Sequence, residues 1–391
     1  MESAADMAAQ SQQTSGTRNS CGAGQVALGP RALMPVSRRT AEHLARDLAG
    51  LYSEAERRLL RRIARDLARG IHGPHWAEQQ YARMLAYQGQ TLRLIEDLQR
   101  QARSGAATTL TEAYRLGGLA AIADLTTREM HMAPRVPALW RRNRALERLE
   151  AELLGKLDAM GPRILRASMD LYREAVAAGT REVLLGTQTR LQATQGVLDR
   201  FAAKGITGFV DKAGRGWNLE SYAEMAVRAG TMNASVSGHM DAMTENGLDL
   251  VIVSEDGSPC ELCEPWEGEI LSISGSDPQY QSVDDCEAAG WGHPGCLHNL
   301  SAYQEGITRP YPEKTAADRA AEAQAYKDNQ AQRGIERQIR ASKRMQAAAM
   351  DAAARAKAGQ RVAYYQAKAR EHVASTSAIR KYGREQVGKA H

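Results

Sequence analysis

Residues 248–263 read LDLVIVSEDGSPCELC, and no other stretch of the 391-residue chain says as much about the fold. Leu248 to Ser254 is short, apolar and β-branched, the composition of a buried strand. Asp256-Gly257-Ser258-Pro259 then turns the chain. The turn delivers Cys260 and Cys263 with the two-residue gap that lets one knuckle present both sulfurs to a metal. Further on, His293-Pro294-Gly295-Cys296-Leu297-His298 forms a second tight turn. Four of the five cysteines (Cys260, Cys263, Cys286, Cys296) fall in this window, and soft thiolates beside imidazoles suit tetrahedral zinc. The spacing predicts that Cys260 and Cys263 bind zinc with two of His293, Cys296 and His298. Cys286, mid-loop without a paired neighbour, is the weakest candidate. Four protein ligands close the coordination sphere and leave no place for an activated water, so such a zinc is structural.

Around this core lies a small α+β domain, residues 205–310. Gly205 to Val210 and Trp217 flank a turn and predict a hairpin. Ser221 or Asn218 caps a helix, a second helix starts near Asn233 and stops at Asn246-Gly247, and Glu269 to Ser274 is another strand. Asp277 to Gly292 reads as a polar loop. Upstream, residues 38–204 show only helical periodicity. Leu44, Leu48, Leu51, Leu59, Ile63 and Leu67 fall at three- and four-residue steps, opposite an arginine-rich face. Further helices are predicted over Trp76 to Leu98 (burying Met84, Leu85, Leu92, Ile95 and Leu98), Leu110 to Met130 before Pro134 and Pro137, from near Trp140 through Leu157 with Gly161-Pro162 kinking or splitting it, and over 163–203. Residues 1–37, rich in Ser, Gln, Ala, Gly and Thr, read as a disordered leader containing Cys21. The predicted class is mainly α with one small α+β domain.

Residues 311–391 form a basic helical tail, with 17 Lys/Arg against 8 Asp/Glu; residues 1–310 carry 34 against 38. Ile335, Ile339 and Met345 make a thin apolar stripe, which predicts a helix lying on a partner or on another copy of the chain. The tail's charge suits DNA or an acidic protein surface. No run of apolar residues is long enough for a membrane span. Cysteines clustered with histidines point to a reducing compartment and a metal site rather than a disulfide framework.

Two enzyme readings compete. Pro259-Cys260-Glu261-Leu262-Cys263 matches half of a zinc-deaminase turn, but the upstream His239-Met240-Asp241 has Asp where that chemistry needs Glu. His293, His298 and Asn299 lie close enough for a zinc-dependent, nuclease-like, nucleic-acid-processing enzyme, without a specified metal-binding carboxylate. Arg215, Trp217, Tyr222 and Arg228 read as a core anchor with surface charges rather than an anion site.

Several motifs follow one another in order: FVDKAGRGW (209–217), LESYAE (219–224), RAGTMN (228–233), DLVIVS (249–254), DGSPCELC (256–263), Pro265-Trp266-Glu267-Gly268, ILSISG (270–275), HPGCLH (293–298) and LSAY (300–303). Through them the segment Thr207 to Gly306 resembles the phage minor capsid protein 2 family, related to Mu F-type head morphogenesis proteins. The helical first half and IERQIR (335–340) are similar to that family too. The resemblance implies a structural protein of a tailed-phage head, located in the virion at the portal vertex after assembly in the host cytoplasm. It implies partners among the portal, major capsid or scaffold proteins, with oligomerisation on the portal, DNA reached through the tail, and a role in head assembly, DNA packaging or ejection. No catalytic residues carry over, so the chain is expected not to be an enzyme. Leu297 stands where relatives often have Arg, which removes a charge and leaves the ligand types intact.

Overall fold

The computed structural model describes residues 38–126, 143–210, 214, 216–293, 295–296 and 298–387. The expected leader with Cys21, the prolines at 134 and 137, the helix start near Trp140, the hairpin tip with Arg215, and Leu297 lie outside those residues. The architecture is mainly α with a two-stranded hairpin and one small four-stranded sheet, in keeping with the mainly α class that the sequence implies.

Helix α1 (Arg38–Ala68) buries Leu48, Leu59, Ile63 and Leu67 together with Tyr52 and Leu60, and stops before Gly70, whose φ of 69° a side chain would resist. The two helices expected over 76–130 are one: α2 runs unbroken from Trp76 to Leu125 over 50 residues. Large apolar residues thin out after Leu98, but the helical period continues in small ones, Ala102, Ala106, Ala113, Gly117 and Ala121, all buried. Small residues let neighbouring helices come close, so this stretch packs as tightly as a leucine stripe. Even Gly105, which costs a helix about 1 kcal/mol relative to alanine, meets Leu48 of α1: a Cβ there would lie 3.2 Å from its Cδ1. Leu85 and Leu92, expected in the core, are exposed instead.

Gly161-Pro162 does split its helix. Helix α3 (Arg144–Asp158) precedes it and α4 (Gly161–Leu184) begins on it. The stretch read as one helix over 163–203 is broken again, because Gly186 takes a φ of 66° and Thr189 forms a capping box with Gln192 that starts α5 (Arg190–Lys204). The predicted hairpin is present as β1 (Phe209–Val210) and β2 (Gly216–Trp217), antiparallel, with Phe209 opposite Trp217. Asn218, not Ser221, caps the next helix; its Oδ1 accepts from the Ser221 amide at 2.9 Å. That helix, α6 (Leu219–Glu245), absorbs both helices expected before Asn246.

A four-stranded sheet of order β5-β4-β3-β6 follows. Its centre is β3 (Leu250–Val253), paired antiparallel with β4 (Ile270–Ser272) and with β6 (Leu300–Ala302), while β5 (Gln281–Ser282) lies parallel to β4. Val251, Ile252 and Val253 are all buried, which accounts for the uninterrupted apolar run. The segment read as a polar loop contains β5 and the short α7 (Val283–Ala288), opened by a Ser282–Asp285 capping box. Val283, Cys286 and Trp291 are buried there, too widely spaced to show as a pattern.

Helices α2 and α6 cross with almost no separation. A Cβ on Gly117 would lie 1.9 Å from the Ser235 carbonyl oxygen, and one on Gly238 would lie 2.0 Å from the Tyr114 oxygen. Each helix thus opens a notch for the other's backbone.

The described part of the tail packs on its own chain. Helix α8 (Ala316–Ala347) packs on α1 and α5 and turns back on α9 (Ala352–Ser375). What its thin stripe lacks in apolar area is supplied by buried charge. Arg344, 2% exposed as a side chain, donates through Nη1 to Glu220 at 2.8 Å and through Nε to the Ala202 carbonyl at 2.9 Å, and lies 3.8 Å from Glu56. It thereby satisfies the last turn of α5, where the helix dipole favours a cation. The next oxygen of Glu56, Oε1, accepts from the Ile206 amide at 2.6 Å. Arg340 pairs with Glu220 at 3.2 Å.

Asp124, one residue before the end of α2, is 3% exposed; its Oδ2 accepts from the Ala302 amide of β6 at 3.3 Å and its Oδ1 has no hydrogen-bond partner. Burial pushes its carboxyl up to about 7, against the lowering by the Ala302 amide.

Two predictions follow from this packing. Gly117→Ala should cost about 3 kcal/mol or more in urea unfolding, since neither backbone can yield; a loss below about 0.5 kcal/mol would show that the helices can separate freely. For Asp124 the folded state holds its proton to higher pH than the unfolded chain, so stability is greatest below the unfolded value and falls as pH rises toward 7. Asp124→Asn should therefore flatten the fall of melting temperature between about pH 4 and 7, and gain about 1–3 kcal/mol at the upper end. Parallel wild-type and variant curves would refute the assignment.

Candidate metal centre

The sheet brings the two knuckles together. In the β3–β6 ladder Val253 faces Leu300, so the end of β3 and the start of β6 lie side by side. One step further the pairing continues, with the Ser254 amide donating to the Asn299 carbonyl at 2.8 Å and the Asn299 amide to Ser254 Oγ at 2.9 Å. Beyond it the chain folds into the first knuckle, where the amides of Cys263 and Glu264 donate to the Cys260 carbonyl at 3.0 and 2.9 Å. The second knuckle is closed by the Cys296 amide donating to the His293 carbonyl at 2.8 Å.

All five predicted ligands converge. Cys260, Cys263 and His293 form one group, and Cys263, Cys296 and His298 a second, with ligand atoms in each within 4.8 Å of one another. Cys263 belongs to both. Cys286 belongs to neither; it lies on the buried side of α7, and burial pushes its thiol up to about 12. The two sulfurs of Cys263 and Cys296 are 3.6 Å apart, and Cys296 Sγ is 3.5 Å from His298 Nδ1. A tetrahedral centre with zinc–sulfur bonds of about 2.3 Å separates two sulfurs by about 3.8 Å and a sulfur from a nitrogen by about 3.6 Å. The residues present therefore fit such an ion. Cys260 Sγ and His293 Nε2 are 3.0 Å apart in the other group, on the half-buried side, and meet this one through Cys263.

The histidines differ in their support. His298 is buried and its Nε2 donates to Glu267 Oε1 at 2.7 Å. Glu267 also accepts from the Asp256 amide at 2.8 Å and from Lys314, which in turn reaches Glu322 at 2.6 Å. A carboxylate behind a ligating imidazole fixes its ring and tautomer. Sequence reading gave Glu267 and Lys314 no role; the available signal was the Pro-Trp-Glu-Gly run directly after the first knuckle. With thiols alone in the site, the hydrogen bond from Cys263 and the contact with His298 outweigh burial and pull Cys296 down to about 4. Burial opposes charge on His298, but Cys296 and Glu267 overcome it and raise the imidazole to about 10. The Cys263 thiol, donating to Cys296 and buried, is pushed up.

Between α6 and the knuckles lies a cavity of about 390 Å³, bordered by Arg228, Asp241, Trp291, His293 and Cys296. Asp241, the deaminase candidate, is held by Tyr114 and by the Asn143 amide at 3.1 Å. His239 is fully buried in α6, and burial pushes its imidazole down to about 4. Among the described residues no carboxylate joins either ligand group. Arg228 is paired with Glu224, and Trp217 packs half-buried on the core.

The family model for phage minor capsid protein 2 matches residues 36–374, a span holding every described α-helix from α1 to α8, the sheet and both knuckles. The chain belongs to the phage minor capsid protein 2 family. The motifs from Thr207 to Gly306 all lie within the matched span. A protein of Lactococcus phage LL-H described as a structural protein is 26% identical over 242 residues, 56% of this chain and 62% of that relative. The chain therefore spans less than two thirds of that relative's length. No solved structure matches the chain. Among the described residues no helix is long and apolar enough to cross a membrane.

Proposed function

We propose that this member of the minor capsid protein 2 family is a structural component of a tailed-phage head, built into the virion near the portal vertex after assembly in the host cytoplasm. Its partners would be the portal and the major capsid or scaffold protein, and its task would be assembly rather than turnover, with packaging or ejection of DNA as the process it serves. The family match over most of the chain carries this reading. The Cys/His cluster supports the absence of turnover: four donors from the protein saturate zinc and leave no site for water or substrate.

Within that reading, zinc is held by Cys260, Cys263, Cys296 and His298. The choice of His298 over His293 rests on its burial and on Glu267 behind it. Zinc there ties the β3 and β6 ends of the sheet and, through Glu267 and Lys314, the start of the tail. The 390 Å³ cavity beside the cluster supports the rival reading, a zinc-dependent nucleic-acid-processing enzyme, because it could admit a small ligand.

Metal analysis of purified protein separates these. We expect about one zinc per chain, lost in Cys263→Ser with a large fall in melting temperature. Glu267→Gln should weaken zinc binding about 10–100-fold. A Cys263–Cys296 disulfide in place of metal would refute the zinc centre, and nuclease activity abolished by His293→Ala would favour the enzyme. For the head assignment, the protein should co-purify with portal from virions at low copy number. Its absence from virions and assembly intermediates would overturn the proposal.

A further inference from the structure

The basic residues of the tail suggested a contact with DNA, but the fold spends much of that charge internally. Arg340 and Arg344 are buried against Glu220, and Arg380 is paired with Glu385 at 2.6 Å. A dense cationic surface lies elsewhere, on α1. The outer side of α1 carries Arg57, Arg58, Arg61, Arg62 and Arg65, which line a cleft of about 1840 Å³. Arg93 of α2, Lys343 near the end of α8 and Arg355 at the start of α9 close it from the other sides. Eight cationic side chains thus border the cleft against two carboxylates, Glu54 and Asp97.

Those carboxylates are already engaged. Glu54 pairs with Arg57 and Arg58, and Asp97 with Arg100. Arg62 pairs with Asp66 at 3.5 Å. Arg61, Arg65, Arg93 and Arg355 are exposed and form no ion pair among the described residues. Their crowding has a cost: burial first, then Arg57, Arg355 and Arg65, lower the affinity of Arg61 for its proton, with only Glu54 opposing. An arginine stays charged at any physiological pH, so this repulsion is relieved only by an anion.

The composition of the cleft identifies the anion. Seven of its eight cations are arginines, whose planar guanidinium grips phosphate oxygens in pairs. Arg57, Arg61 and Arg65 recur every four residues, so they step along α1 by about 6 Å each and span about 12 Å. One strand of a duplex advances about 3.4 Å per nucleotide, which sets about three or four phosphates along that row. No aromatic ring lines the cleft, so bases have nothing to stack on and sequence goes unread. We propose that the cleft between α1, α2 and the α8–α9 turn binds the phosphate backbone of nucleic acid without sequence preference. This stands on the cleft's own chemistry; the head-protein reading only supplies the DNA at hand.

The test uses the full chain and two fluorescent duplexes of unrelated sequence, titrated with salt from about 50 mM upward. Both should bind alike. Arg61→Gln/Arg65→Gln/Arg93→Gln should weaken binding at least about tenfold and reduce the slope of log affinity against log salt by about 1 per residue removed. The exposed pair Lys368→Gln/Arg370→Gln on α9 should change it less than about twofold. All five positions are exposed, so circular dichroism and melting temperature should match the parent. No binding at the lowest salt, an unaffected triple variant, or an equal loss from the α9 pair would overturn the proposal. So would displacement by polyglutamate as effective as by DNA at equal charge, which would make the cleft a seat for an acidic peptide. Co-purification with portal is independent of all these outcomes, so failure here leaves the head assignment standing.

Discussion

The crossing of α2 and α6 sets the positions of nearly everything else. Two backbones meet where Gly117 accommodates the Ser235 carbonyl and Gly238 accommodates that of Tyr114. Helices whose side chains interlock stand about 8–10 Å apart; reciprocal glycines remove the intervening layer. The close approach has local consequences. The Tyr114 hydroxyl reaches Asp241 across the crossing and also accepts from Asn143 Nδ2 at 2.6 Å. Asn143 in turn caps α3 through Leu146, so the start of a third helix is registered on the first two. His239 is enclosed at the same crossing, where only the Gly117 backbone favours its charged form. It is tolerated there because burial keeps it neutral. From the end of α6 the chain enters β3, so the angle of the crossing also sets where the sheet lies against the bundle.

Much of this was legible in the sequence, and the exceptions share a cause. Leu48, Leu59, Ile63 and Leu67 marked α1 because large side chains at helical spacing are easily seen. Val251 to Val253 marked the central strand, and the knuckle spacing marked the cluster, because strands and metal ligands depend on short-range pattern. The continuous α2 was hidden because its second half buries alanine and glycine, which look featureless by hydrophobicity although they permit the closest packing. The small strand and helix before Trp291 were hidden because their few apolar residues are separated by charges. Leu85 and Leu92 misled in the opposite direction: periodicity identifies a face, but only tertiary contact decides whether it is covered. For the candidate centre, the five cysteines and histidines that the fold brings together were readable, whereas Glu267 and Lys314 were not. A residue that steadies a ligand from behind needs no spacing rule, only proximity after folding.

The tail shows why composition alone misjudged its partner. A helix poor in apolar residues was expected to need another chain, and α8 instead uses ionic and polar contacts within its own. Arg344 meets Glu220, the carbonyl of Ala202 and the neighbourhood of Glu56, while Gln195 on α5 accepts from the Met350 amide at 2.8 Å. Buried ion pairs contribute less to net stability than to uniqueness, since breaking one strands the other charge. The charge that gave the tail its basic composition is therefore partly structural cement.

Arg344 also gives the chain a sense of completion. Glu56 and Glu220 are translated long before their arginine, and Glu56 sits wholly inside the protein in the finished fold. Until residue 344 has left the ribosome, the first helices cannot close over those carboxylates without stranding them in a medium of low dielectric constant. A chain that stops short of α8 therefore bears the cost of enclosing Glu56 and Glu220 without their counter-charge, so closure of the first helices is favoured only once Arg344 is in place.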